Sequence, residues 1–139
     1  MLLRLFGARV HRKSRIHPSA RIWAPWNLSV GADTSVGHHV DLYNVAPIYL
    51  GNRVTVSQET LLCTASHEIT DPTMVLTRQS IRLEDESWAC ARSYLGPGVL
   101  LGRGAVAGAC AVVTKSVEPW KVVAGNPAAV LKERKLCHV

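Results

Sequence analysis

From Leu83 onward a small or medium aliphatic residue returns at every sixth position: Leu83, Ala89, Leu95, Leu101, Ala107 and Val113. Four places after each stands a second small or β-branched residue: Ser87, Ser93, Val99, Ala105, Ala111 and Val117. The same register runs earlier through Val30, Val36 and Leu42 and through Leu50, Val56 and Leu62, and Ile16, Ile22 and Leu28 open it. At plus four these give Thr34, Val40 and Ala46, then Val54, Thr60 and Ser66. Two-residue insertions shift the phase between Leu28 and Val30 and between Ile48 and Leu50. A helix would repeat its apolar residues at three and four, and a half-buried strand at two. A period of six fits a short strand followed by a turn, with glycines such as Gly31, Gly37, Gly51, Gly96, Gly102 and Gly108 beside the inward residue giving the backbone room to bend. Three such faces close a triangular coil of about 18 residues, and coils stack at the ~4.8 Å strand spacing. Roughly fourteen hexapeptides then make four to five coils.

Composition agrees with a narrow interior. Hydrophobic residues make up 47% of the 139, yet there are one Phe, three Tyr and four Trp, so Val, Ala and Leu must fill the core. The length predicts one domain. This apolar content excludes a disordered chain, and no apolar run reaches the ~18 to 20 residues of a membrane-spanning helix. The net charge is +6, with Arg4, Arg9, Arg12, Lys13 and Arg15 near the start and Lys132, Arg134 and Lys135 near the end. Basic clusters suit nucleic acid, anionic lipid or a phosphorylated small molecule. Without an RNA-binding aromatic motif or zinc-finger spacing, nucleic acid is not expected. Cys63, Cys90, Cys110 and Cys137 form no CxxC pair, which predicts neither a zinc site nor a redox pair and favours a reducing compartment. The segment Met1-Leu2-Leu3-Arg4-Leu5-Phe6 is too short in apolar length for a secretory signal, so the expected location is cytoplasmic.

Several segments resemble a known family. Ile16-His17-Pro18-Ser19-Ala20, Leu42-Tyr43-Asn44-Val45-Ala46-Pro47-Ile48, Ser57-Gln58, Cys63-Thr64-Ala65-Ser66-His67 and Val122-Val123-Ala124-Gly125-Asn126-Pro127-Ala128 are similar to the hexapeptide-repeat acetyltransferases, in particular the sugar O-acetyltransferases of the colanic-acid-biosynthesis type. The resemblance implies an all-β, left-handed parallel β-helix, and the handedness rests on the resemblance alone. The expected layout of the single domain is a basic N-terminal segment over 1–15, first coils over 16–66, an excursion loop over 67–80, last coils over 81–118 and a C-terminal cap over 119–139. A short helix over 128–135 is expected within that cap, with Pro119 and Trp120 closing the open end of the stack.

The six-residue step fails after Leu62, and residues 67–80 carry no register. An excursion from a regular solenoid is a candidate functional loop. His67 stands where the rigid coil hands over to it, which suits a general base. The chemistry implied by the resemblance is transfer of an acetyl group from acetyl-CoA to a hydroxyl of a saccharide or saccharide precursor, with exopolysaccharide assembly as its setting. A hydroxyl is almost un-ionised at neutral pH, so neutral His67 would take its proton as it attacks the thioester. Glu68 and Asp71 are candidates for orienting the imidazole or meeting the acceptor, and Asn44 matches the family position that binds the acceptor.

The resemblance also implies that coenzyme A runs along the last coils. Pantetheine would bond to backbone near Ala91 and Ala109, with Trp88 flanking its thiol end. Thr114, Lys115 and Lys132 would meet the phosphates of the nucleotide end, where cations are needed. No metal is expected. One coil stack offers half a cleft, so a homotrimer with sites between subunits is the expected assembly. Glu84 and Cys90 stand where the family usually holds Gly, and Arg92-Ser93-Tyr94 is bulkier than its pattern. The fold has other occupants. A γ-carbonic-anhydrase-type zinc hydratase needs three His ligands, and only His67 stands at a loop junction. A non-catalytic scaffold needs no site at all.

Overall fold

The computed structural model describes residues 2–137. Its strands form three flat parallel faces, connected in rotation. The first face stacks Arg9–Val10, Leu28–Val30, Ile48–Leu50, Ile81–Leu83 and Leu100–Leu101. The second stacks Arg15–Ile16, Ser35–Val36, Thr55–Val56, Trp88–Ala89, Val106–Ala107 and Lys121–Ala124. The third stacks Arg21–Ile22, Asp41–Tyr43, Leu61–Cys63, Tyr94–Leu95 and Val112–Val113. Five complete coils result, and a sixth begins with the Val117 bridge to Leu101 and the strand Lys121–Ala124. The first coil starts at Arg9, ahead of the Ile16 where the repeat first reads clearly, and Leu2–Leu5 precede it as a single helical turn.

The inward residues stack in register, as their period requires. Val30, Leu50, Leu83 and Leu101 pair down the first face, Val36, Val56, Ala89, Ala107 and Val123 down the second, and Leu42, Leu62, Leu95 and Val113 down the third. The phase shifts have a simple cause. The three middle first-face strands are three residues long and turn both ends inward, so Leu28 with Val30, Ile48 with Leu50 and Ile81 with Leu83 are all buried. Buried hydroxyls at plus four bond to the backbone: Thr34 Oγ1 donates to the Gly51 carbonyl at 2.7 Å, and Thr60 Oγ1 to that of Cys90 at 3.0 Å. Among the described residues no buried side-chain polar atom lacks a partner, so the polar interior carries no desolvation penalty left unmatched.

The bends rest on residues other than the expected glycines. The left-handed corner positions are Asp33, Arg53 and Glu86, continued by Gly104 and Trp120, and at the next corner His39, Glu59, Arg92 and Cys110. Gly31 and Gly102 instead permit coils to approach. A Cβ on Gly31 would lie 2.6 Å from the Gly51 carbonyl carbon, and one on Gly102 2.6 Å from Pro119 N. At Glu84, in the same column, the side chain turns outward and Oε2 accepts the Arg103 N–H at 3.0 Å.

Three local expectations are corrected. The helix over 128–135 is a strand, Ala129–Glu133, folded antiparallel onto Lys121–Ala124. It covers the edge that a terminal parallel strand would leave open, which a helix there would not pair. Residues 138–139 of the expected cap lie outside the described residues. Ser66 is exposed and Thr64 is the inward residue, because the chain leaves the coil at Ala65. Trp26 stands four places after Ile22, a spacing that points inward, yet it lies in a 3-10 turn (Pro25–Asn27) and is 67% exposed; Ala24 fills the interior instead.

Candidate active site

The excursion is a β-hairpin. Ala65–His67 pairs antiparallel with Leu76–Arg78, placing His67 opposite Leu76. Two bonds clamp its base to the coil: Thr64 N–H donates to the Tyr43 carbonyl at 3.1 Å, and Gln79 N–H to that of Thr64 at 2.9 Å. At the tip Glu68 accepts the N–H and hydroxyl of Thr70 at 3.0 and 2.6 Å, and Asp71 those of Thr73 at 2.7 and 2.6 Å. These bonds hold both carboxyls below their ordinary pKa range, first through the threonine hydroxyl and then through the backbone N–H. Glu68 and Asp71 therefore build the hairpin turns, and among the described residues their bonds go to threonines and not to the imidazole.

The partner of His67 is the backbone. Its Nδ1 lies 2.6 Å from the Met74 carbonyl oxygen. A carbonyl only accepts, so Nδ1 carries the proton, and in the neutral ring Nε2 is left with a free lone pair. Met74 reaches this position with a left-handed backbone, φ 50°. No residue type in the sequence marks a backbone carbonyl as the orienting group; only the hairpin register brings it to His67.

Asn44 is corrected as well. It is fully buried at the corner, one coil above Ala24. Its Oδ1 accepts the Ala24 N–H at 2.8 Å and its Nδ2 donates to the Ala24 carbonyl at 2.7 Å. With both ends engaged inside the corner, it rungs the coils together and does not present itself to an acceptor.

The remaining candidates fall into separate groups. Trp88 lies on the second face, 42% exposed, and its indole N–H donates to Ser57 Oγ at 2.9 Å, which gives the Ser57-Gln58 motif a structural partner. Ala91, half-buried, and Ala109, exposed, stand in adjacent coils at the corner between second and third faces, where Cys110 N–H bonds to the Ala91 carbonyl at 3.0 Å. Below Trp88 on the same face, Arg15, His17, His38, Thr55, Ser57 and Gln58 line part of a groove of about 470 Å³. Thr114 and Lys115 are exposed at the corner between third and first faces and line a second groove, also about 470 Å³, with Lys121 and Val130. Lys132 is exposed opposite Val122 on the C-terminal strand. The hairpin of His67 springs from the third-to-first corner, so one chain places its imidazole and its Trp88–Ala91–Ala109 surface on different edges of the prism.

The chain matches no protein-family model. It is 38% identical over 133 residues to WcaF of Escherichia coli K12, a protein provisionally named a colanic acid biosynthesis acetyltransferase; the match covers 96% of this chain and 73% of that one. A hexapeptide-repeat acetyltransferase of Vibrio cholerae superposes with a TM-score of 0.91 at 28% identity, over 96% of this chain and 78% of that one. The structure of that acetyltransferase with acetyl coenzyme A gives 0.86 over 95% and 73%. A maltose O-acetyltransferase of Clostridium difficile gives 0.88 at 25% identity over 97% and 74%. The common architecture is the left-handed parallel β-helix. A register read from the residues, the stacked coils that realise it and a relative matched along nearly the whole chain agree: this chain belongs to the hexapeptide-repeat acetyltransferase family.

Proposed function

We propose that the chain transfers the acetyl group of acetyl-CoA to a hydroxyl of a saccharide, with His67 as general base. The observation that carries the reading is the 2.6 Å bond from His67 Nδ1 to the Met74 carbonyl, which leaves Nε2 as the acceptor on an exposed imidazole. As the acceptor hydroxyl attacks the thioester carbonyl carbon, its proton passes to Nε2. The tetrahedral intermediate collapses, the carbon–sulfur bond breaks, and the coenzyme A thiolate recovers that proton from the imidazolium. The Met74 carbonyl keeps Nδ1–H in place through both transfers. The saccharide acceptor is supported by relatives named for colanic acid biosynthesis and maltose acetylation, and exopolysaccharide assembly is the setting we propose. Trp88, Ala91 and Ala109 are proposed to line the pantetheine, and Thr114, Lys115 and Lys132 to meet the nucleotide phosphates.

The separation of His67 from the Trp88 surface supports a homotrimer, in which the hairpin of one subunit completes the site of the next. Ile69, Met74, Val75 and Leu76 on that hairpin are 47 to 82% exposed, an apolar surface suited to burial against a neighbour. The test is thiol release from acetyl-CoA across a panel of sugars. His67→Ala should lower turnover by ~10² to 10⁴ while acetyl-CoA still binds, and Glu68→Gln should stay within about threefold of wild type. Undiminished turnover in His67→Ala would remove the base; failure of acetyl-CoA to bind the wild type would remove the transferase reading.

A further inference from the structure

The net charge of this molecule belongs to one end of it. Residues 1–32 carry six of the sixteen Lys and Arg and none of the ten Asp and Glu, and the residues from Asp33 onward hold ten of each. The +6 of the whole chain is thus the charge of the first coil and the short helical segment before it. The hexapeptide period distributes it around the prism. Arg9, Arg15 and Arg21 stand six apart, one on each face, each the exposed neighbour of an inward Val10, Ile16 or Ile22. Arg12 and Lys13 project from the corner between the first two faces. Arg21 is paired with Asp41, and Arg4 Nε donates to the Val10 carbonyl at 2.8 Å. Arg9, Arg12, Lys13 and Arg15 make no ion pair among the described residues.

The same end exposes large apolar side chains. Leu2, Leu5 and Phe6 are 67%, 83% and 58% exposed, and Trp23 and Trp26 are 65% and 67% exposed. The helical turn lies beside Trp26: a Cβ on Gly7, next to Phe6, would stand 3.1 Å from the Trp26 Cβ. Unpaired cations around a rim, with indoles and aliphatic tips between them, are the composition of a surface that meets lipid headgroups. A nucleic-acid duplex would pair with the cations but offers nothing to Leu2, Leu5 and Phe6, because its phosphate surface buries no apolar tips.

We infer that the N-terminal end of the coil stack docks end-on against an anionic lipid bilayer, with Arg9, Arg12, Lys13 and Arg15 on the headgroups and Phe6, Trp23 and Trp26 at the interface. Near the surface each cation contributes about fivefold to partition, and the effect fades within a Debye length, so salt must weaken it. Taken with the acetyl-transfer reading, docking sets the His67 hairpin, which leaves the third coil, about 10 Å above the first, within reach of acceptors held at the membrane surface.

Flotation of the full chain with vesicles tests this without reading turnover, so its failure leaves the acetyl-transfer proposal intact. Wild type should float with phosphatidylcholine vesicles containing about 30 mol% phosphatidylglycerol, not with pure phosphatidylcholine, and should be released by added salt. The triple variant Arg9→Glu, Arg12→Glu, Lys13→Glu should partition about 100-fold more weakly, while Lys132→Glu with Lys135→Glu at the opposite end should match wild type. Phe6→Ser with Trp26→Ser keeps every charge and should still lose about tenfold or more. Tryptophan emission should shift to the blue on anionic vesicles. These positions are exposed, and circular dichroism establishes that the variants remain folded. Failure of wild type to float, or flotation of the triple variant like wild type, overturns the inference. So does tighter binding of a short DNA duplex combined with unchanged flotation of the Phe6→Ser, Trp26→Ser pair, which would mark a general polyanion surface.

Discussion

Two residues of the candidate site, His67 and Asn44, look alike in sequence, each a polar side chain in a family motif, and the structure separates them by burial. His67 is exposed at the end of a strand with one nitrogen committed to a carbonyl. Asn44 is fully buried with both ends of its amide committed. Asn44→Ala would strand the N–H and carbonyl of Ala24 in an apolar corner and leave a cavity. A loss of about 2 to 4 kcal/mol is expected in chemical denaturation, with the KM for the acceptor unchanged in the folded fraction. A raised KM at unchanged stability would restore the acceptor role. Glu68 and Asp71 teach the same lesson: adjacency to His67 in sequence placed them in the hairpin turns, each occupied with a threonine two residues on.

At the scale of elements, corners are where the coils couple. The first corner column joins Asn52 to Asp85, whose Oδ1 accepts the Asn52 N–H at 2.8 Å, and Arg53 to Glu86, which also pairs with Arg103. Asp85 is held below the usual carboxylate range, first by the Asn52 backbone bond and also by Arg53 and Arg103. A depressed folded-state pKa gives stability that is present above the unfolded value, near 3.9, and lost as pH falls through the lower folded value. Acid unfolding should therefore steepen below about pH 4, and Asp85→Asn should flatten that limb in denaturation curves recorded between neutral and acid pH. An unchanged acid limb would assign it elsewhere. The Arg53–Glu86–Arg103 group is solvent-exposed, so salt should weaken its part.

For the whole molecule, the question is how the proposed base and the proposed cofactor surface, which stand on different edges, would serve one reaction. The proposed trimer would bring them together, and mixing two inactive subunits tests it. His67→Ala and Trp88→Ala chains, each inactive alone, should regain about a quarter of wild-type turnover when co-expressed in equal amounts, since each interface draws its two halves independently. No recovery would place both groups in one chain's site. The sedimenting mass should be three times that of the chain.

The period of six determined the fold class, because only a coil with three short faces buries one aliphatic residue per six without helix or hairpin. It also named the core: Leu83, Ala89, Leu95 and their successors are the residues that stack. The same period, read at Arg9, Arg15 and Arg21, distributes the basic surplus around one end. His67 was legible as the place where the period stops. What replaced the period was not, since residues 67–80 pair by a hairpin register that no repeat encodes. Tertiary structure alone decided that Met74 supplies the carbonyl, that Asn44 faces inward, and that residues 129–133 pair as a strand. Each depends on which backbone groups another coil or strand leaves unpaired, and burial makes those groups find a partner whatever the local sequence prefers.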